Sequence, residues 1–291
     1  MDFSLRLYIL HRAKKLIKSQ SYKYKKALIK IINKLFPDIR EEFVVKTLKG
    51  YKLIINPKKD KGIEYNVFHY GIYEEGTLQA FEYIIKKGDV IIDLGANIGL
   101  TTVYASILTG VRGEVFSFEA HPKTFEILEK NIKLNKCNNV NLLNLAISDT
   151  IGKGIIYDNL DINRGAASLI KKDKKQKSYE IFTLTLDNFL KENNIEKVDF
   201  VKIDVEGYEL KALRGFEKYL NLYVKPILCI ELSFDVNSVE IVEEIFSVLT
   251  MKYNYLVFKQ KRGKSNGGSF IEVLEIIELP KIDNIYFCQK E

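Results

Sequence analysis

The sequence predicts a doubly wound α/β domain whose sheet is mostly parallel and is completed by a C-terminal β-hairpin. Three observations predict it. From Gly88 onward, apolar runs of four to six residues alternate with helical patterns, as parallel strands joined by crossover helices require. A glycine-bearing turn, Gly95 to Gly99, follows the first of these runs directly and opens a helix. Two β-rich runs near the C-terminus, 253–259 and 285–289, flank a loop containing Gly263, Gly267 and Gly268, the pattern of a final hairpin that would complete seven strands.

The elements follow in order. Strands are expected at Val90–Leu94, Glu114–Phe118, 140–145, 198–203 and 227–231, and helices at 100–108, Pro122–Asn135, 208–219 and 239–249. Ahead of them, Ala27, Leu28, Ile31, Ile32, Leu35 and Phe36 recur at helical spacing with Lys25, Lys26, Lys30 and Lys34 between them. This is an amphipathic basic helix ended by Pro37. Alternating apolar residues at 42–56 flank Lys49-Gly50, a hairpin signal. The expected organisation is therefore a basic N-terminal arm (1–36), a cap of hairpin and helix (37–87) and a ligand-binding domain (88–291). A lysine-rich loop is expected at 159–177.

Charge and cysteine content bound the function. The 291 residues carry a formal net charge of +7, but the first 36 contain ten Lys or Arg against one acid. The arm is thus +9 and the other 255 residues are −2. A basic groove across the body is not supported, so no nucleic-acid partner is expected. An anionic membrane surface or a partner protein remains a possible contact for the arm. Cys137, Cys229 and Cys288 show no metal-ligand spacing, and their odd number argues against a disulfide framework. No metal is expected. No apolar run approaches the ~18 residues of a spanning helix, and the first apolar stretch precedes its basic cluster, the reverse of a signal peptide. The expected location is the cytoplasm, with membrane association at its inner face open through the arm.

Three motifs carry chemistry. Asp93-Leu94-Gly95-Ala96-Asn97-Ile98-Gly99 stands at a strand-to-helix turn, where glycines let backbone approach a ligand at the carboxyl edge of the sheet. Asn97 replaces the second glycine of the pyrophosphate fingerprint, which argues against a nicotinamide cofactor. Glu119 ends the next strand, twenty residues after Gly99, where an acid can accept hydrogen bonds from both hydroxyls of a ribose. Lys202-Ile203-Asp204-Val205-Glu206-Gly207-Tyr208-Glu209 ends the fourth strand, and three carboxylates with a lysine are costly to crowd there unless they face water, a ligand or each other.

The order Asp93 to Gly99, Phe118-Glu119, Ala146-Ile147-Ser148-Asp149, Thr185-Leu186-Asp187 and Lys202 to Gly207 resembles the FkbM family of S-adenosylmethionine-dependent methyltransferases. The resemblance spans roughly 73–233 and does not reach the arm. It implies the class I, Rossmann-like methyltransferase fold, S-adenosyl-L-methionine as cofactor, and O-methylation of a sugar, glycan or related small molecule. It also implies cofactor contacts from Tyr73, Glu74, Asp93, Gly95, Asn97, Gly99, Glu119, Ser148 and Asp204. In one departure, Ala120-His121-Pro122 stands where the family pattern has Pro just after the acid of the second strand.

A sulfonium methyl is already activated, so the protein must chiefly align the acceptor and exclude water. For a sugar hydroxyl a general base still helps. Asp204 and Glu206 are the candidates, with His69 as a rival. Two other classes stay open on sequence: a nicotinamide-dependent oxidoreductase and a non-catalytic adaptor that retains only the fold.

Overall fold

The structure, a computed structural model, describes residues 3–19, 22–36, 41–158, 177–222 and 224–290. Most of the lysine-rich loop expected at 159–177 therefore lies outside the described residues. The chain begins with α1 (Phe3–Ser19) and α2 (Tyr22–Leu35), a hairpin of β1 (Phe43–Lys46) and β2 (Lys52–Ile55), then α3 (Ile63–Tyr70) and α4 (Glu75–Ile84). The second half then alternates as expected: β3 (Val90–Leu94), α5 (Leu100–Thr109), β4 (Glu114–Phe118), α6 (Pro122–Asn135) and β5 (Val140–Leu143). A small three-stranded sheet follows, made of β6 (Ala146–Ile147), β7 (Gly152–Tyr157) and β8 (Ser178–Leu184). It was not anticipated, because β6 is two residues long and β7 begins with glycines rather than an apolar run.

The chain returns to the main sheet through α7 (Leu186–Glu192) and β9 (Phe200–Ile203), then α8 (Glu209–Arg214), α9 (Glu217–Leu220) and β10 (Ile227–Ser233). The single helix expected at 208–219 breaks at Gly215, where a Cβ would lie 2.1 Å from the Ser148 carbonyl oxygen. The chain ends with α10 (Val239–Ser247), one π-helical turn, β11 (Tyr255–Gln260), α11 (Gly263–Asn266), β12 (Phe270–Glu272) and β13 (Ile282–Gln289).

The main sheet has eight strands in the order β12-β11-β13-β10-β9-β3-β4-β5. The run from β10 to β5 is parallel, and β13 pairs antiparallel with both β10 and β11. Seven strands were expected, and β12 is the eighth. The order reverses between β3 and β9, so the carboxyl ends of those strands form the crevice where doubly wound sheets bind ligands.

Capping chemistry sets several boundaries. His121 N-caps α6, accepting from the Thr124 N–H, with Pro122 in the first turn; Thr185 and Ser238 cap α7 and α10. One face of the sheet packs Leu94, Phe118, Phe189, Leu213 and Ile230 into a continuous core. A second core unites Leu10, Ile17, Ile32 and Phe36 of the N-terminal segment with Leu53, Phe68, Leu100, Leu128 and Ile132. The arm and cap expected as separate parts thus share an apolar core with the ligand-binding half. Among the described residues, no helix is long and apolar enough to cross a membrane.

Candidate active site

The glycine turn after β3 is held by its neighbours as much as by its own residues. The N–H groups of Gly95 and Ala96 both donate to the Phe118 carbonyl, 3.0 Å each. Gly95 has φ +80°, and a Cβ there would lie 1.8 Å from the Asp204 carbonyl oxygen. The turn and the end of β9 therefore meet backbone to backbone, which only glycine allows. Asn97 also adopts a left-handed conformation, φ 52°, and its side chain accepts from the next N–H.

Glu119 closes this turn from the end of β4. Its carboxylate accepts from the N–H of Asn97 and of His121, both at 2.8 Å. Each oxygen keeps lone-pair capacity toward the cavity that Glu119 lines. Burial pushes its carboxyl up to about 7, against the pull of those two donors.

A buried network of charges forms the opposite wall. Lys202, 3% exposed, pairs with Asp204 at 2.9 Å. Lys264, from α11, reaches Glu74 at 3.0 Å and also bridges to Glu231 on β10. Burial alone would raise Asp204, but Lys202 and Lys264 hold its carboxyl below the usual range. Glu231 is pushed the other way, up to about 8, by burial and by the Asp204 charge. The two lysines thus favour a charged Asp204, and burial beside that charge favours a protonated Glu231, whose side chain hydrogen-bonds to Asp204. The carboxylate oxygens of Asp204, Glu206 and Glu231 lie within 4.8 Å of one another, and the two ammonium groups offset part of this crowding.

Glu74 stands at the hinge of the site. It has a left-handed φ of 46°, a conformation disfavoured for a residue with a Cβ and held only by strong surroundings. Thr77 and Asn284 both donate to its carboxylate alongside Lys264.

The cavity brings together Tyr73, Glu74, Gly95, Asn97, Glu119, Asp204 and Glu206. Four expected site residues fall outside it. His69 is buried in α3, with Nδ1 bonded to the Tyr65 carbonyl and Nε2 to Asn33, 2.9 Å each; both nitrogens are occupied and it is not a base for this cavity. Asp93 accepts from the hydroxyls of Thr101 and Thr102 at 3.0 and 2.7 Å, and so holds the first turn of α5 behind the wall. Gly99 also has a structural role: a Cβ there would meet Leu128 at 2.6 Å. Ser148 turns its hydroxyl to Asp149 at 3.0 Å, and its neighbours Ala146 and Ile147 line the cavity instead. The unexpected His121 is fully buried as a helix cap, leaving Ala120 to line the cavity.

Lys264 and Glu231 were missed. The signal for Lys264 was present in the flanking Gly263 and Gly267, since Gly76 of α4 approaches both so closely that a Cβ would lie 2.4–2.5 Å from their backbone. Glu231 ends an apolar run and carried no motif.

The residues present fit a nucleoside-bearing cofactor. A carboxylate with free lone pairs, a glycine-tight turn and the apolar side chains of Phe118, Leu145, Ile147 and Ile156 line one cavity. This fold and site define a nucleoside-cofactor-binding protein of the doubly wound α/β class. Residues 93–257 match the methyltransferase FkbM domain, and the chain belongs to that family of S-adenosylmethionine-dependent methyltransferases.

Among its relatives is the hexuronic acid methyltransferase AglP of Haloferax volcanii, 31% identical over 135 residues, 46% of this chain and 53% of that protein. Another is the methyltransferase sdnD of Sordaria araneosa, 24% identical over 163 residues, 46% of this chain and 62% of that one. The chain thus spans little more than half the length of these relatives. The crystal structure of methyltransferase FkbM from Methylobacillus flagellatus superposes with a TM-score of 0.43 at 15% identity, covering 77% of this chain and 52% of that one.

Proposed function

We propose that this protein transfers a methyl group to a hydroxyl oxygen of a sugar or related small molecule. The observation that carries the reading is the close pair Asp204 and Glu231, held by Lys202 and Lys264 on the wall of the cavity that also holds Glu119. A hydroxyl must lose its proton as it is methylated, whereas a cofactor fold alone needs no such pair.

S-adenosyl-L-methionine, when bound, supplies a methyl group already activated by its positive sulfur. Glu119 would hold the ribose hydroxyls, and the apolar residues Phe118, Leu145, Ile147 and Ile156 would take the adenine. Tyr73 and Glu74 would close the cavity over the polar end. Asp204, fixed by Lys202 and held charged by the two lysines, accepts the hydroxyl proton; Glu231 takes it on only once its own proton has left, above about 8. Glu206 lines the same wall and orients the acceptor. The relation to a hexuronic acid methyltransferase supports a sugar acceptor.

The test is incubation with S-adenosyl-L-methionine and a panel of hexoses and hexuronates, with mass spectrometry of the products. A product heavier by one methyl and stable to base, as an ether is, supports the reading. A base-labile methyl ester, a methylated carbon or no transfer across the panel overturns it.

A further inference from the structure

A second cavity, of about 390 Å³, adjoins the first and shares Tyr73 and Glu74 with it. It lies between the N-terminal helices, α3 and α11, and its lining suits a hydroxylated ligand. Asn66, Ser265 and Asn266 offer amide and hydroxyl groups, while Ile17 and the Tyr70 ring offer apolar surface for the carbon face of a pyranose. Lys25, half-buried on α2, also lines it. Among the described residues Lys25 has no hydrogen-bond or ion-pair partner. The two acids on the same lining are engaged: Glu74 is paired with Lys264, and Glu75 has a partner of its own. An uncompensated ammonium in a concave polar site attracts an anion, and a carboxylate gives it a charge-assisted hydrogen bond.

We infer that this cavity binds the methyl acceptor and that Lys25 selects a sugar carrying a carboxylate, a hexuronate-type unit, over its neutral counterpart. The shared wall at Tyr73 and Glu74 then presents a hydroxyl of that sugar to the Asp204–Glu231 pair, while the carboxylate stays at the far end on Lys25. The inference rests on the transferase reading of the adjoining cleft. It gives the basic N-terminal segment a part in recognition beyond packing.

The experiment uses the full chain saturated with S-adenosylhomocysteine. Methyl α-glucopyranosiduronate and methyl α-glucopyranoside are the probes, with affinity read by saturation-transfer NMR or calorimetry. The uronoside is expected to bind about tenfold or more tightly than the glucoside, in keeping with a charge-assisted bond. Lys25→Met should erase that preference and Lys25→Arg should keep it, with S-adenosylhomocysteine affinity the same in all three proteins. Equal binding of the two glycosides, no binding of either, or a preference that survives Lys25→Met overturns the inference. Adding S-adenosyl-L-methionine separates the two readings. Lys25-dependent binding without a methylated product sinks sugar O-methylation and leaves the site standing, whereas a methylated uronoside whose preference ignores Lys25 sinks the site alone.

Discussion

Glu119 carries two duties at once. Its carboxylate fastens the backbone of Asn97 and His121, and in the proposed function its remaining lone pairs hold a ribose. Hydrogen bonds to a charged partner are worth roughly 1.5–3 kcal/mol each, so Glu119→Ala should weaken S-adenosylhomocysteine binding by about ten- to a thousandfold. Glu119→Gln should weaken it less; calorimetric titration checks both. Because the same carboxylate holds the turn, Glu119→Ala should also lower the unfolding midpoint. The carboxyl is pushed up to about 7 by burial, so the folded state binds its proton more tightly than the unfolded chain does. Its contribution to stability therefore falls as pH rises from the usual carboxylate range through about 7. Cofactor affinity should move the other way, rising over that interval as the better acceptor forms, and Glu119→Gln should flatten the rise. At the Asp204–Glu231 pair, Asp204→Asn and Glu231→Gln should each lower turnover by about 10²–10⁴-fold with a smaller change in S-adenosylhomocysteine affinity. With Glu231 raised to about 8, wild-type turnover should climb as pH passes that value, and Glu231→Gln should lose the inflection. A pH–rate profile without it would remove the pair from proton transfer.

Elements differ in how much of their role can be read locally. The glycines of the turn after β3 look alike in sequence but answer to different neighbours. Gly95 faces a backbone carbonyl that has nowhere to go, and Gly99 faces the movable end of Leu128. Gly95→Ala should accordingly abolish cofactor binding or folding. Gly99→Ala should fold, with a loss of about 1–3 kcal/mol from its positive φ and the contact; urea titration of the two variants separates them. The parallel strands and Pro122–Asn135 were legible because hydrophobic period, Pro at the first turn and a capping residue agree there. The small sheet β6-β8-β7 was not, because its partners are set by tertiary pairing of short, glycine-bearing segments. At the site, Gly95, Asn97, Glu119 and Asp204 were legible as strand-end residues of one crevice. Lys264 was not, since it arrives from α11, some sixty residues after Asp204 in the chain, and only the fold brings it there. His69 shows the converse: a histidine near the right segment, drawn into the core by Tyr65 and Asn33.

For the whole molecule the question is whether the N-terminal helices are an accessory or part of the cooperative unit. Charge suggests an accessory, because +9 on 36 residues should repel itself. Packing says otherwise. Ile32 and Phe36, 2% and 5% exposed, share a core with Ala96, Ile98 and Leu100, at the glycine turn and the start of α5. Removing a buried phenylalanine costs about 3–5 kcal/mol, so Phe36→Ala should destabilise the whole protein, and deletion of residues 1–36 should leave a body that aggregates. Hydrogen exchange with bound cofactor product gives the sharper test. A ligand at 100 times its Kd stabilises the state that binds it by about 2.7 kcal/mol. If the helices unfold only with the body, amides of α2 that exchange by global opening should gain that same protection when S-adenosylhomocysteine binds. If α2 opens on its own, its exchange should be indifferent to the ligand while β3 and β4 slow. The shared core requires the first outcome, and the second would return residues 1–36 to the status of a detachable arm.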